Sequence, residues 1–375
     1  MRRDRPPLVS VILPVYEAED LLDDALGSLR AQTVDDLEVI AVDDGSSDGS
    51  LAALRAYAQR WPALRVHAQD NRGAAAARNQ AFELARGRFI ALQDADDTSA
   101  PTRFERQLEL LRERPDVDLV GTDAHMFESN GQHLGELHAS SDPDELERVV
   151  REVGTPVCHS SLMLRREVID EGHRYEPTWA NCHDYDFISR VMRTHRASNV
   201  PEPLYRIRAH GAQLSVRFLE EGGYRTFAAT RFIQRGEKPT LDLGSVTRDD
   251  VLALGFAPRR VDEMIVGRYR HWMRLLGTGG HTGEVASLLE RGRAYAERHA
   301  VDRDLRVALE VEAALAMRRP LSGARRIGGA LRRDWRSALG VARTVAGYRV
   351  HVALTHPARP MLRSVIRARR ALRRN

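Results

Sequence analysis

Two carboxylates with one residue between them, Asp94-Ala95-Asp96, follow the apolar run at residues 89–92. At the end of a strand such a pair turns toward one loop concavity, where the two charges repel unless a cation joins them. A divalent ion held by one or two carboxylates and by substrate phosphates is the usual oxygen-ligand solution, which points to Mg²⁺ or Mn²⁺. A second acidic pair, Asp43-Asp44, ends the run LEVIAV at residues 37–42. Its carboxylates can accept from a base N–H or a ribose hydroxyl. Arg72, Gly73, Arg78 and Asn79 add guanidinium donors and a flexible backbone of the kind that suits phosphate oxygens. Asp184 falls at the start of a helical pattern, where the positive helix end favours an ionised carboxylate. Taken singly, each is an ordinary solvated turn or cap. Their convergence would be the signal.

The elements that must bring them together are legible as hydrophobic periodicity. Residues 8–13, 37–42, 64–67 and 89–92 read as buried strands, and residues 21–32, 50–61 and 74–85 as the helices between them. A run of Asp and Ser before the second helix suits N-capping. Alternating strand and helix predicts parallel strands joined by crossovers, with ligands at the carboxyl ends of the strands. The four loops there begin with Pro14-Val15-Tyr16, Asp43-Asp44-Gly45-Ser46, Asp70-Asn71-Arg72-Gly73 and Asp94-Ala95-Asp96-Asp97. Beyond a helix at 101–114 the pattern is mixed: strands near 118–120 and 160–164, an Asn130-Gly131 turn, helices near 143–153 and 184–194, and an extended segment at 203–209. From about residue 215 strand signals fade. The expected fold class is therefore α/β, with a catalytic unit at 1–215 and a smaller, mainly helical, Arg-rich region at 216–375.

The stretches VSVILPVYEAEDLLDDALGSLRAQT, LEVIAVDDGSSDGS, NRGAAAARNQAFELARGRFIALQDADD, PVCHSSLMLRREVI, HDYDF and EPLYRIRAHGAQLS, in this order, resemble the family 2 glycosyltransferases, an inverting family of GT-A fold. The likeness spans residues 8–215. It implies a Rossmann-like, mostly parallel sheet and a nucleotide-diphosphate sugar donor, a UDP-sugar foremost, from which a hexosyl or related group passes to a glycan or lipid-linked acceptor. It implies donor contacts at Pro14, Tyr16, Asp43, Asp44, Arg72, Arg78 and Asp94, and a metal at Asp96 helped by Asp94. Asp184 becomes the catalytic base. His159, Ser160 and His183 would line the acceptor or donor-sugar pocket, and Arg208 and His210 the diphosphate side. The family usually shows Glu-Asp-x-Asp where this chain reads His183-Asp184-Tyr185-Asp186, so an inactive member acting as a nucleotide-sugar-binding scaffold at a membrane is the rival reading.

Composition narrows the rest. With 375 residues, 42% hydrophobic and 29% charged, the sequence has the makings of a folded protein with a sizeable core. Only Cys158 and Cys182 occur, which fits a reducing compartment, and their Cys-His pairs lack zinc-ligand spacing. No signal-peptide h-region and no membrane-spanning run is expected, so the expected place is the cytoplasm, with docking on the inner face of the cell membrane as an extension. Residues 318–375 hold 16 Arg and one Asp, a charge of +15, so the net +4 leaves −11 on residues 1–317. That tail, with Trp335 and Tyr348 at helical spacing, suits an anionic membrane surface. Nucleic acid is not expected, since the remainder is acidic. A dehydrogenase lacks its G-x-G-x-x-G after the first strand, and a P-loop enzyme lacks G-x-x-x-x-G-K-[ST].

Overall fold

A computed structural model describes residues 5–128, 131–151, 156–178, 182–209, 218–235, 241 and 245–317. His210, expected on the diphosphate side, Asn130 of the expected turn, and the Arg-rich tail at 318–375 lie outside the described residues.

The chain opens with β1 (Val9–Val15), α1 (Leu22–Arg30), β2 (Leu37–Asp44), α2 (Ser50–Arg60), β3 (Leu64–Gln69), α3 (Ala74–Leu84) and β4 (Phe89–Leu92). The four strands pair in parallel in the order β3-β2-β1-β4. Because helices cover both faces, β1 and β2 are buried along nearly their whole length, and this is why they read as continuous apolar runs rather than alternating ones. The expected side-chain cap on α2 is not what starts that helix. Gly49 is its N-cap, and Asp48 and Glu19 accept from the backbone N–H groups of Ser50 and Gly49 instead.

Past β4 the sheet turns mixed. It continues through β5 (Thr98–Ser99), α4 (Arg103–Glu113), β6 (Leu119–Phe127), β7 (His133–Leu137), α5 (Pro143–Arg151), a 3₁₀ turn at His159–Ser161, β8 (Met163–Arg165), α6 (Arg166–Asp170), α7 (His183–Val191) and β9 (Ala197–Arg208). The described strands form one nine-stranded sheet, β3-β2-β1-β4-β8-β6-β9-β5, with β7 added beside β6. Two expected strands differ in extent. The one near 118–120 runs on to Phe127, because β9 pairs along its full length, and the one at 160–164 gives up its first residues to the 3₁₀ turn.

Among the described residues five helices follow: α8 (Leu219–Arg235), α9 (Arg248–Ala253), α10 (Pro258–Thr278), α11 (Thr282–Arg298) and α12 (Arg303–Ala316). They do not form a detached unit. Phe227, Tyr269 and Met273 from these helices share one apolar cluster with Met126 and Leu134 of the β6–β7 hairpin and Tyr185 of α7. No helix among the described residues is long and apolar enough to cross a membrane.

The amino ends of the strands are fixed by a buried carboxylate. Glu38, 3% exposed, accepts from the Ser10 hydroxyl, from Arg65, and from the backbone and guanidinium of Arg86, while Ser10 in turn receives the Gly87 N–H. Burial works against its charge, yet these donors outweigh it and hold the Glu38 pKa below its ordinary 4.5. Such a group stabilises the fold at pH values above 4.5, and the contribution is lost as pH falls through the lowered value. Glu38→Gln leaves buried donors poorly matched and should cost about 1–3 kcal/mol at neutral pH. Thermal unfolding from pH 7 to pH 3 should show the gap between wild type and variant closing below pH 4.5; a gap that stays constant would contradict this assignment.

Candidate active site

The acidic loop after β4 is built on a buried polar bed. Arg103, fully buried on α4, donates to the Leu92 carbonyl (2.8 Å), the Ser99 hydroxyl (2.9 Å) and the Gln93 side chain (3.2 Å), and lies over the Tyr205 ring. Burial pushes its pKa down to about 10, with Tyr205, Cys158 and the acidic loop acting the other way. The Asp94 N–H donates to the Tyr205 hydroxyl, and Gln93 donates to the carbonyls of Asp94 and Asp97. Held this way, Asp94, Asp96 and Asp97 each offer a carboxylate oxygen within 4.8 Å of the others. Like charges at such range raise one another's pKa. Burial first, then Asp96 and Asp94, push Asp97 well above the usual carboxylate range. A divalent cation would relieve that repulsion, so the residue set fits one.

Arg78 joins this loop to the helix that carries Asp184. Buried to 5% exposure on α3, its guanidinium reaches Asp94 Oδ1 at 2.6 Å and His183 Nε2 at 2.9 Å, and it lies 5.6 Å from the Tyr175 ring centroid. Arginine can only donate, so His183 Nε2 is the acceptor and the ring proton belongs on Nδ1. The other Asp94 oxygen accepts from the Ser160 hydroxyl. His159, next along the 3₁₀ turn, meets the Tyr175 hydroxyl at 2.7 Å, and burial beside Arg78 pushes its pKa down to about 3, leaving a neutral imidazole. Asn79 grips Tyr175 from α3 by two backbone hydrogen bonds. Four segments distant in sequence therefore meet at one guanidinium.

Asp184 occupies the first turn of α7, after the N-cap Cys182. Burial opposes its charge, but its polar surroundings, the Tyr185 N–H and the Arg78 guanidinium among them, hold its pKa below the ordinary value. It is an ionised carboxylate at neutral pH. Asp186 faces elsewhere, paired with Arg190 on its own helix.

The loops after β1, β2 and β3 stand at the carboxyl ends of the parallel strands, at the same edge of the sheet as the acidic loop after β4. Register places Val15 beside Asp43 at the carboxyl ends of β1 and β2. Asp44 accepts from Gln69 and from the backbone N–H groups of Arg72 and Gly73, so both its oxygens pin the β3 loop to the β2 loop. Gly45 makes that approach possible: its φ is +74°, and a Cβ there would lie 2.7 Å from the Asn71 nitrogen. Asp43, 1% exposed, accepts from the Ser46 N–H through Oδ2, while Oδ1 is buried without a partner. Beside them Tyr16 is 54% exposed, a large apolar ring left in solvent. Glu17 follows at φ +49°, an uncommon backbone for a residue with a side chain, and is held there by hydrogen bonds with Ser46 and Ser47. Pro14 is half-buried in β1, and the Arg72 side chain is exposed.

Arg208 is buried and tied down. It donates to Asp24 at 2.6 Å and to the Asp96 carbonyl at 3.0 Å, and its backbone N–H meets Asp97 at 2.8 Å. Its observed contacts thus hold the acidic loop. Three residues that shape the site escaped the sequence reading. Arg103, Tyr175 and Tyr205 act through contacts over long sequence separations, and only Tyr205, within EPLYRIR, lay in a stretch that drew notice. A cavity of 420 Å³ lined by Val150, Tyr185, Ser189, Met192 and Thr230 contains none of the acidic-loop residues.

Comparison with known proteins bears on the family and the fold. Residues 10–173 match the model of the family described as Glycosyl transferase family 2. Over 207 residues the chain is 31% identical to EpsE of Bacillus subtilis (strain 168), whose name classes it as a glycosyltransferase; the match spans 54% of this chain and 73% of that protein. TuaG of the same organism, whose name assigns it to teichuronic acid biosynthesis, is 42% identical over 109 residues, or 29% of this chain and 43% of its own. A crystal structure of residues 1–349 of TarS from S. aureus matches with a TM-score of 0.51 at 19% identity, covering 85% of this chain and 91% of that one, which establishes the GT-A fold. With its motif residues gathered at the carboxyl ends of the strands, the chain belongs to the family 2 glycosyltransferases.

Proposed function

We propose that this glycosyltransferase moves a sugar from a nucleotide-diphosphate donor, a UDP-sugar foremost, to an acceptor hydroxyl with inversion, assisted by Mg²⁺ or Mn²⁺, in polysaccharide or glycolipid synthesis. The observation that carries the reading is the Arg78 guanidinium, which bridges Asp94 of the acidic loop and His183, the neighbour of Asp184. That contact supports reading the acidic loop as a cation site with the base beside it. In such a site Tyr16 offers a face for the base to stack on, and the unpartnered oxygen of Asp43 offers an acceptor for a ring N–H. Asp94, Asp96 and Asp97 would hold the cation, which when bound supplies positive charge against the departing diphosphate. Asp184 takes the proton from the acceptor hydroxyl as its oxygen attacks the anomeric carbon from the side opposite the leaving group. Inversion follows from that single displacement.

His183 keeps Arg78 engaged where the family usually has a glutamate. As a neutral acceptor it retains the hydrogen bond without adding a negative charge near Asp184, which supports an active enzyme over a scaffold. The polysaccharide assignment draws on the similarity to TuaG.

A diphosphate-release screen across nucleotide sugars, with and without Mn²⁺, is the first test. Asp184→Asn should bind donor normally and lose about 10²–10⁴-fold in transfer, the share of a general base. Asp96→Ala should weaken both donor binding and transfer. An active Asp184→Asn enzyme contradicts the base assignment, and turnover with no donor among the nucleotide sugars contradicts the reaction class.

Asp43→Asn tests the nucleotide side separately. Losing a charged hydrogen bond worth about 1.5–3 kcal/mol should weaken nucleotide binding by roughly 10- to 100-fold in calorimetry while the melting temperature changes little. Unchanged affinity would remove Asp43 from the donor site.

A further inference from the structure

Across the sheet from the acidic loop, the β6–β7 hairpin gathers three histidines and two carboxylates that the glycosyl-transfer site does not use. His125 stands directly opposite Glu136 in the antiparallel register, and Asp123 stands near His138. A register shift between Met126 and Phe127 then sets His133, not Leu134, opposite Phe127. Leu134 is buried in the core, and His133 comes round to the side of Glu136 and His125. Re-aiming a side chain is what a bulge does. Without the shift, His133 and Glu136, three residues apart, would point to opposite faces.

The three donor atoms are placed as a small ion requires. His125 Nδ1 lies 3.1 Å from His133 Nε2 and 3.4 Å from Glu136 Oε1, and His133 Nε2 lies 3.9 Å from the same oxygen. A triangle with those sides has a centre about 2 Å from every corner, which matches the Zn–N and Zn–O bond lengths of about 2.0–2.2 Å. The outer partners are present too. His138 Nε2 is 3.1 Å from the other Glu136 oxygen, and its Nδ1 is 2.7 Å from Asp123. Asp123, 6% exposed, is in turn fixed by Asn199 and the Ala139 N–H. This chain of contacts orients Glu136, as outer hydrogen bonds orient the ligands of metal sites.

We propose that His125, His133 and Glu136 bind a divalent transition ion, with Zn²⁺ the one that two imidazoles and a carboxylate suit. Three protein ligands leave room for water to complete the coordination. The ion would staple β7 to β6, and β6 reaches the acidic loop through β9: His125 pairs with Arg206, and Arg206 with Thr98, the residue after Asp97. Its first effect is on the rigidity of that edge.

A second His-carboxylate group, Glu171, His173 and His195, is less suited. Both His195 nitrogens are already hydrogen-bonded to carboxylates, at 3.0 Å from Asp118 and 3.0 Å from Glu171.

The test uses the full-length chain without a polyhistidine tag, stripped by chelator and kept in excess Mg²⁺ so that the oxygen-rich loop is filled. Titration with Zn²⁺ should show one ion per chain and a rise in melting temperature, and Co²⁺ in its place should give the intense visible bands of an imidazole-bound, low-coordinate ion. His133→Ala, at an exposed position, should abolish both signals, and His138→Ala should weaken binding by about 10- to 100-fold. Zinc binding undiminished in His133→Ala, or no stoichiometric binding by the wild-type chain, overturns the proposal, and neither result bears on diphosphate release.

Discussion

Much of the site depends on one buried guanidinium. Arg78 is almost wholly shielded from water, and a charge in that position is tolerable only with partners on every side. Asp94, His183 and the Tyr175 ring supply them. Because those partners come from the loop after β4, from α7 and from the segment before it, the requirement to satisfy Arg78 fixes their relative positions. The same contact keeps Asp94 ionised: burial would raise its pKa, and Arg78, His159 and Ser160 bring it below the ordinary value.

The electrostatics divide along the cleft. Asp94 and Asp184 are held as anions, His159 as a neutral ring, and Asp97 is pushed toward protonation by burial first and then by its acidic neighbours. Carboxylates within one site thus differ in their readiness to be charged, and the difference comes from burial and from donors placed by α3, α7 and the 3₁₀ turn. Behind them, Arg103 and Gln93 form a rigid bed, and Glu38 locks the opposite end of the sheet.

Much of this was legible in the sequence. The first four strands and the helices between them follow from apolar runs, and the acidic loops fall where a parallel sheet must put them. Less legible was which side chains act on ligand and which on the protein. Asp43 and Asp44 are adjacent and alike in type, yet one has an oxygen without a donor and the other is consumed by three N–H groups, a difference set by a glycine at φ +74° and the loop it lets approach. Arg78 reads as a helix-face arginine, solvated by default, until the packing of α7 and the 3₁₀ turn buries it. The hairpin histidines gave no signal at all, since a bulge sets their common face.

The most direct test is crystallographic. Crystals of the full chain grown with Mn²⁺ and UDP or GDP, measured at the manganese absorption edge, should show an anomalous peak among Asp94, Asp96 and Asp97. The diphosphate should sit on that ion, the base beside Tyr16 and Asp43, and the Arg78 contacts to Asp94 and His183 should be intact. A nucleotide bound elsewhere, or manganese absent from the acidic loop while the nucleotide is present, would contradict the account.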